Sequence, residues 1–182
     1  RDKAYQAKDY IGASERHGEI VEGLHIGNSP FSYMNPELVG KKVVLSTTNG
    51  TQAIEKAKQA ETIIIGSFLN LTAVCEFLAA QNKDVILLCA GWKGRYNLED
   101  SLFAGAVADY FDGSDVFTGI ADSSIAAKHM YQAAKGNLNG FLINSSHRKR
   151  LQRLNLEKDI DYCLQIDIID KVPVFDGIGL NV

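Results

Sequence analysis

The sequence predicts an α/β fold, with a parallel or mostly parallel sheet and helices on both faces. Two observations predict it. Strand-like and helix-like segments alternate through the middle of the chain, giving a βαβαβα centre. The strand-like segments are apolar along their whole length, as strands covered on both faces are. Crossovers between parallel strands are expected to be right-handed.

Each element has its own pattern. Asp9 to Ala13 reads as a short early strand, and Lys42 to Thr47 as the next. Gly50 to Ala60 places Ala53, Ile54 and Ala57 on one helical face. Thr62 to Gly66 is a strand buried on both faces. Leu71 to Ala80 repeats the helical spacing through Val74, Phe77 and Leu78. Asp84 to Ala90 is a third buried strand, in which Cys89 is a small core residue. Leu98 to Phe111 is the strongest helix, with Leu98, Leu102, Phe103, Ala106, Val107, Tyr110 and Phe111 inward. Ser123 to Ala134 and Leu142 to Leu154 read as helices, Tyr162 to Ile166 as a late strand, and Val172 to Phe175 as an extended tail.

A length of 182 residues fits one domain, and the absence of repeats or Pro-rich linkers keeps residues 1–182 as a single unit. Hydrophobic residues make up 46% and charged residues 23%, which excludes a disordered chain. The net charge of −3, with no run of Lys or Arg, argues against nucleic-acid or polybasic membrane binding. No apolar run reaches the ~18 residues a membrane span needs. Three scattered cysteines make neither a disulfide framework nor a metal knuckle, which points to a reducing cytoplasm.

In open parallel sheets, ligands collect at the carboxyl ends of the strands. Three such ends carry small polar residues. The first is Thr47-Thr48-Asn49-Gly50-Thr51, where a helix start offers free N–H groups and hydroxyls to an anion. The competing reading is a plain helix cap by Asn49 or Thr51. No Gly-Lys-Ser/Thr follows, so it is not a Walker loop. The second is Gly66-Ser67 with Asn70, where a cap explains Asn70 taken alone. The third is Gly91-Trp92-Lys93-Gly94-Arg95, followed by Asn97, Glu99 and Asp100. Acids favour a first helical turn, and Asn97 with Asp100 resembles a capping box. The functional alternative is a Mg²⁺ site on Glu99 and Asp100. Upstream, Glu15-Arg16 is an ion pair or an anion grip, and Asn28-Ser29-Pro30 is a turn with polar side chains. The four histidines show no ligand spacing, and Lys149 and Arg150 read as a solvated helix face.

Taken in order, Gly27-Asn28-Ser29-Pro30, Thr47 to Thr51, Gly66-Ser67 with Asn70, Cys89-Ala90-Gly91, Glu99-Asp100 and Ala104-Gly105 resemble the 2-phosphosulfolactate phosphatases. The resemblance runs from about Ile11 to Pro173. It implies a Mg²⁺-dependent acid phosphatase of α/β fold that converts 2-phospho-3-sulfolactate to 3-sulfolactate and phosphate, a step that in some methanogens serves coenzyme M biosynthesis. It further implies Glu15, Arg16 and Asp100 as catalytic residues. Glu15, Glu99 and Asp100 would be metal ligands, and Asn28, Ser29, Thr47, Thr48, Asn49, Gly50, Thr51, Ser67, Asn70 and Gly91 would bind the substrate. Two departures stand out. The Asp-Val-Leu-Arg-Ala-Thr type motif of an upstream strand–helix unit does not occur, so the unit 1–182 is expected to be incomplete at its N-terminus by roughly fifty residues, the length of one or two βα units. Arg148 stands where relatives usually carry Gly.

The partner implied is a small anionic phosphate monoester. An uncovered sheet edge would invite a homo-oligomer. Two other functions fit the same rim: an anion-binding module without catalysis, and a sugar-phosphate isomerase or nucleotide-binding domain, for which Glu15 or His147 would be the base.

Overall fold

A computed structural model describes residues 10–16, 19–20, 26–119 and 121–182, and for residues 15, 16, 19 and 20 the backbone alone. β1 (Tyr10–Arg16), β2 (Glu19–Ile20) and β3 (Lys42–Ser46) form a sheet in the order β2-β1-β3. β1 and β3 run parallel, with Ala13 opposite Leu45 and Ser14 opposite Ser46. β2 folds back antiparallel on Glu15 and Arg16. The intervening stretch makes 3-10 turns at Pro30–Met34 and Pro36–Leu38, each with proline at its start, where a missing N–H costs nothing.

The helices follow as α1 (Asn49–Ala57), α2 (Leu71–Gln81), α3 (Leu98–Tyr110), α4 (Asp122–Ala134), α5 (Leu138–Phe141), α6 (Ser146–Arg153) and α7 (Glu157–Cys163). β4 (Val174–Phe175) and β5 (Leu180–Asn181) close a C-terminal hairpin. The core lies among α2, α3 and α4, where Val74, Cys75, Leu102, Ala106, Val107, Tyr131 and Ala134 are buried with Phe68, Leu138 and Leu142. α3 and α4 cross closely because Gly105 has no side chain. A Cβ there would lie 2.0 Å from the Ala127 carbonyl oxygen. Phe68 meets the Phe103 ring edge-on at 5.7 Å between centroids.

The α/β class holds, with a sheet smaller than expected. The segment 62–66 is extended but joins β4 rather than a parallel neighbour: Ile64 bridges Val174, and the Ile65 amide donates to the Pro173 carbonyl at 2.9 Å. The segment 84–90 is extended without a ladder among the described residues. Val85 and Leu87 pack on the core, while Ile86 is 88% exposed and Leu88 lies on the surface. Cys89, expected in the core, is likewise exposed. An apolar run is buried on both faces only when strands flank it and layers cover it, and here one layer is present.

Three other elements differ. Tyr110 is half-exposed, while Phe111, the residue after it, is buried in the core. The helix expected over 142–154 breaks at Ser145, whose hydroxyl accepts from the Arg148 amide and starts α6 anew. Residues 162–166 form no strand; Tyr162 and Cys163 finish α7, whose buried Ile160 anchors it and whose first turn carries Glu157 and Asp159.

Candidate functional site

β3 delivers the chain to α1 at the carboxyl edge of the sheet, and the parallel register brings the Glu15–Arg16 end of β1 to that same edge. The side chains of Glu15 and Arg16 lie outside the described residues. Thr47 is half-buried, and Thr48 and Thr51 are exposed. The Thr51 hydroxyl donates back to the Thr47 carbonyl, so its proton is spent inside the turn. Among the described residues no side chain caps α1. Asn49 reaches across instead, and its Oδ1 accepts from the Lys93 amide at 3.1 Å. The first-turn N–H groups of α1 therefore keep no side-chain cap, which suits an anion.

The Lys93 bond joins this turn to the third strand end. Trp92 and Arg95 exchange two backbone hydrogen bonds of 3.0 Å around Lys93 and Gly94. Both central residues have positive φ, 51° and 70°, as a two-residue primed turn requires. Gly91 also has positive φ, and a Cβ on it would lie 2.6 Å from the Arg95 carbonyl oxygen. The Gly91 amide donates to Asp100 Oδ2 at 2.7 Å. Asn97 caps α3 by accepting from the Glu99 amide at 2.9 Å. The expected capping box is thus half-formed: Asp100 turns to Gly91 rather than back to its own cap.

Glu99 stands beside Asp100 with its side chain 21% exposed. Burial, and then the Asp100 charge, push its carboxyl up to about 7, against the pull of Ser145, Arg150 and Arg148. His147 Nε2 lies 3.7 Å from Glu99 Oε2. Arg150 donates to His147 Nδ1 at 2.8 Å, which leaves Nε2 to carry the proton of the neutral ring and face Glu99. Arg150 and Lys93 both sit over the Trp92 ring, at 4.8 Å and 4.7 Å from its centroid. Arg150, read from sequence as solvated, is therefore part of this corner. Its i,i+3 spacing from His147 on one helix was the available signal.

Other expected site residues stand apart. Asn70 is 5% exposed, and its amide group donates to the Lys171 carbonyl at 2.8 Å and the Ile65 carbonyl at 3.4 Å. Its Oδ1 accepts from the Ser67 amide at 2.8 Å and from the Ser67 hydroxyl. Both side chains, expected to bind substrate, make these bonds to the chain itself. The Ser29 hydroxyl donates to Asp159 at 3.0 Å, which docks the 27–34 turn on α7, and Asn28 is exposed. Arg148 binds Asn139, while its buried Nε has no partner among the described residues. Two surface cavities of about 420 and 340 Å³ lie elsewhere, one beside α5 and α7 and one beside α2 and Asp167, and the 47–51 turn lines neither.

Glu99 and Asp100 are a donor set that fits Mg²⁺. They are hard carboxylate oxygens, and a bound divalent cation would offset the burial and the Asp100 repulsion that together raise the Glu99 carboxyl. Among the described residues no three His, Cys, Asp or Glu side chains converge, so the Glu15 part of the expected ligand set lies outside them.

The family model for 2-phosphosulpholactate phosphatase matches residues 1–177. This chain belongs to that family. It is 41% identical to a probable 2-phosphosulfolactate phosphatase of Thermotoga petrophila, over 87% of this chain and 67% of that protein. Proteins of the same name from Caldanaerobacter subterraneus and a Picosynechococcus species are 34% and 38% identical, each over 94% of this chain and 70% and 72% of their own lengths. The family places the chain among the phosphoric monoester hydrolases. No helix among the described residues is long and apolar enough to cross a membrane.

Proposed function

We propose that the chain is a Mg²⁺-dependent phosphatase that hydrolyses 2-phospho-3-sulfolactate to 3-sulfolactate and phosphate. One observation carries the reading: the Asn49–Lys93 and Gly91–Asp100 hydrogen bonds tie the uncapped start of α1 and the Glu99–Asp100 pair into one rim. Amide groups at residues 49–51 and the Thr47 and Thr48 hydroxyls receive the phosphoryl oxygens. Asp100, oriented by Gly91, and Glu99 hold the cation, with Glu15 and Arg16 supplied from the neighbouring strand end. Bound there, Mg²⁺ supplies positive charge to the phosphoryl group in the transition state. The fixed amides need no reorganisation as charge develops, which is where electrostatic catalysis gains most. Two of the three strand ends expected from sequence, those at Thr47 and Gly91, serve the reading; the Ser67–Asn70 end supports the fold. The free thiols of Cys75, Cys89 and Cys163 accord with a reducing cytoplasm.

The test is phosphate release from 2-phospho-3-sulfolactate with Mg²⁺ and with chelator, in the wild-type chain and in Asp100→Asn. The expected outcome is turnover that chelator abolishes and that falls at least about a hundredfold in the variant, the scale of losing one electrostatic group, at an unchanged melting temperature. Chelator-resistant turnover, or a variant that merely unfolds, would show that Asp100 holds the 91–95 turn and nothing more.

A further inference from the structure

Two cations on one ring need an explanation. Lys93 and Arg150 come from a tight turn and from α6, and both rest on Trp92. Among the described residues neither makes a salt bridge. Among the described residues the carboxylate acting on Arg150 is Glu99, which makes no direct salt bridge with it. The Arg150 guanidinium lies 4.8 Å from the Trp92 ring centroid, and His147 takes one of its five N–H groups. A stacked guanidinium presents its remaining edge donors in a rigid fork that matches the oxygens of a carboxylate or sulfonate. Lys93 adds a point charge beside it. Through its own amide, bound to Asn49, Lys93 is also fixed relative to the start of α1.

Resting on the phosphatase reading above, we propose that Arg150 and Lys93, seated on Trp92, receive the anionic end of the substrate that is not the phosphate. The corner is a specificity device: it selects monoesters carrying a second anionic group. In this arrangement phosphate and sulfonate engage different donors, the amides at 49–51 and the cations on Trp92. The energetic logic is that of a charge-assisted pair, which discriminates against any ester lacking the partner group because the donors are then left without it.

Trp92 is the sole tryptophan, so its fluorescence reports the corner directly. Wild-type chain, Arg150→Gln, Lys93→Asn and Lys149→Gln are titrated with 3-sulfolactate, lactate and inorganic phosphate. Asn suits the positive φ of Lys93, so that variant keeps the turn. Lys149 is an exposed neighbour that removes one charge without touching Trp92. The expected result is a Trp92 response to 3-sulfolactate that lactate and phosphate fail to reproduce, that is lost in Arg150→Gln, is weakened in Lys93→Asn, and is kept in Lys149→Gln. In parallel, the ratio of kcat/KM for 2-phospho-3-sulfolactate to that for p-nitrophenyl phosphate falls about tenfold or more in Arg150→Gln, the scale of one charge-assisted hydrogen bond. An unaltered fluorescence response and an unaltered ratio in both corner variants would overturn the proposal, as would equal losses in Lys149→Gln. Wild-type chain that binds 3-sulfolactate at Trp92 but cleaves neither ester would refute the phosphatase reading and leave the anion site standing.

Discussion

The α2–α4 layer and the sheet margin are built from equally apolar sequence, yet they end up differently. In the helical layer, Leu102 and Cys75 have no exposed surface, and aromatic rings of Phe68, Phe103 and Tyr131 fill the space between helices. At the margin, Val43, Leu45, Ile86 and Leu88 carry comparable side chains that remain exposed. A helix satisfies its backbone internally and needs only one covered stripe. A strand needs neighbours for its backbone and layers for its faces. The helical layer is therefore complete within its own stretch of chain, whereas the margin is an apolar surface suited to association.

The sharpest way to break this contrast is to shorten one side chain on each side of it. Leu102→Ala should cost about 2–5 kcal/mol, the range for a fully buried leucine, read from denaturant midpoints. Gly105→Val should cost about 1–3 kcal/mol or more, because the added Cβ meets the Ala127 carbonyl. Ile86→Asp should change stability by only about 0.5 kcal/mol, as surface substitutions do, while reducing self-association in sedimentation. If Ile86→Asp proved as costly as Leu102→Ala, the margin would be as packed in solution as the helices.

A finer difference lies in pH. The Glu99 carboxyl titrates near 7 in the folded chain rather than at the usual 4.5. The folded state therefore binds a proton more tightly than the unfolded chain. The resulting penalty is absent below about pH 4.5, grows as pH rises, and is complete above about 7. With chelator present, Glu99→Gln should raise the melting temperature at pH 8 and leave it nearly unchanged at pH 4.5. An equal effect at both values would remove Glu99 from the group of strained carboxylates.

Most helices were legible because their apolar period survives any tertiary context: the spacing of Ala53, Ile54 and Ala57, or of Leu102, Ala106 and Val107, belongs to no other element. The segments 62–66 and 84–90 were legible as strand-like, but not that the first joins the C-terminal tail antiparallel and the second makes no ladder among the described residues, since the identity of a strand's neighbours is written elsewhere in the chain. Tyr162 and Cys163 misled because a short apolar run reads alike in strand and helix. At the site, Gly91 and Asp100 were visible as turn and first-turn residues. The corner of Trp92, Lys93, His147 and Arg150 was not, because its parts come from chain positions more than fifty residues apart.

The Asn70 amide bridge bears on how the chain acquires its shape during synthesis. Asn70 holds the Lys171 carbonyl, Asp167 accepts from the Thr72 amide and hydroxyl at 2.7 Å, and the Ile169 amide reaches the Leu69 carbonyl at 2.9 Å. Residues 167–175 thus run as a strap along 63–72, across a sequence gap of 101 residues for the Asn70 bond. A ribosome extends the chain at about 5–20 residues per second, so several seconds separate the emergence of Asn70 from that of its partner. For that interval the Asn70 amide keeps its local partners, Ser67 and the Ile65 carbonyl, and lacks only the Lys171 carbonyl. The fastening becomes available only late, and translation that stops before residue 167 leaves the α2 entrance unlatched.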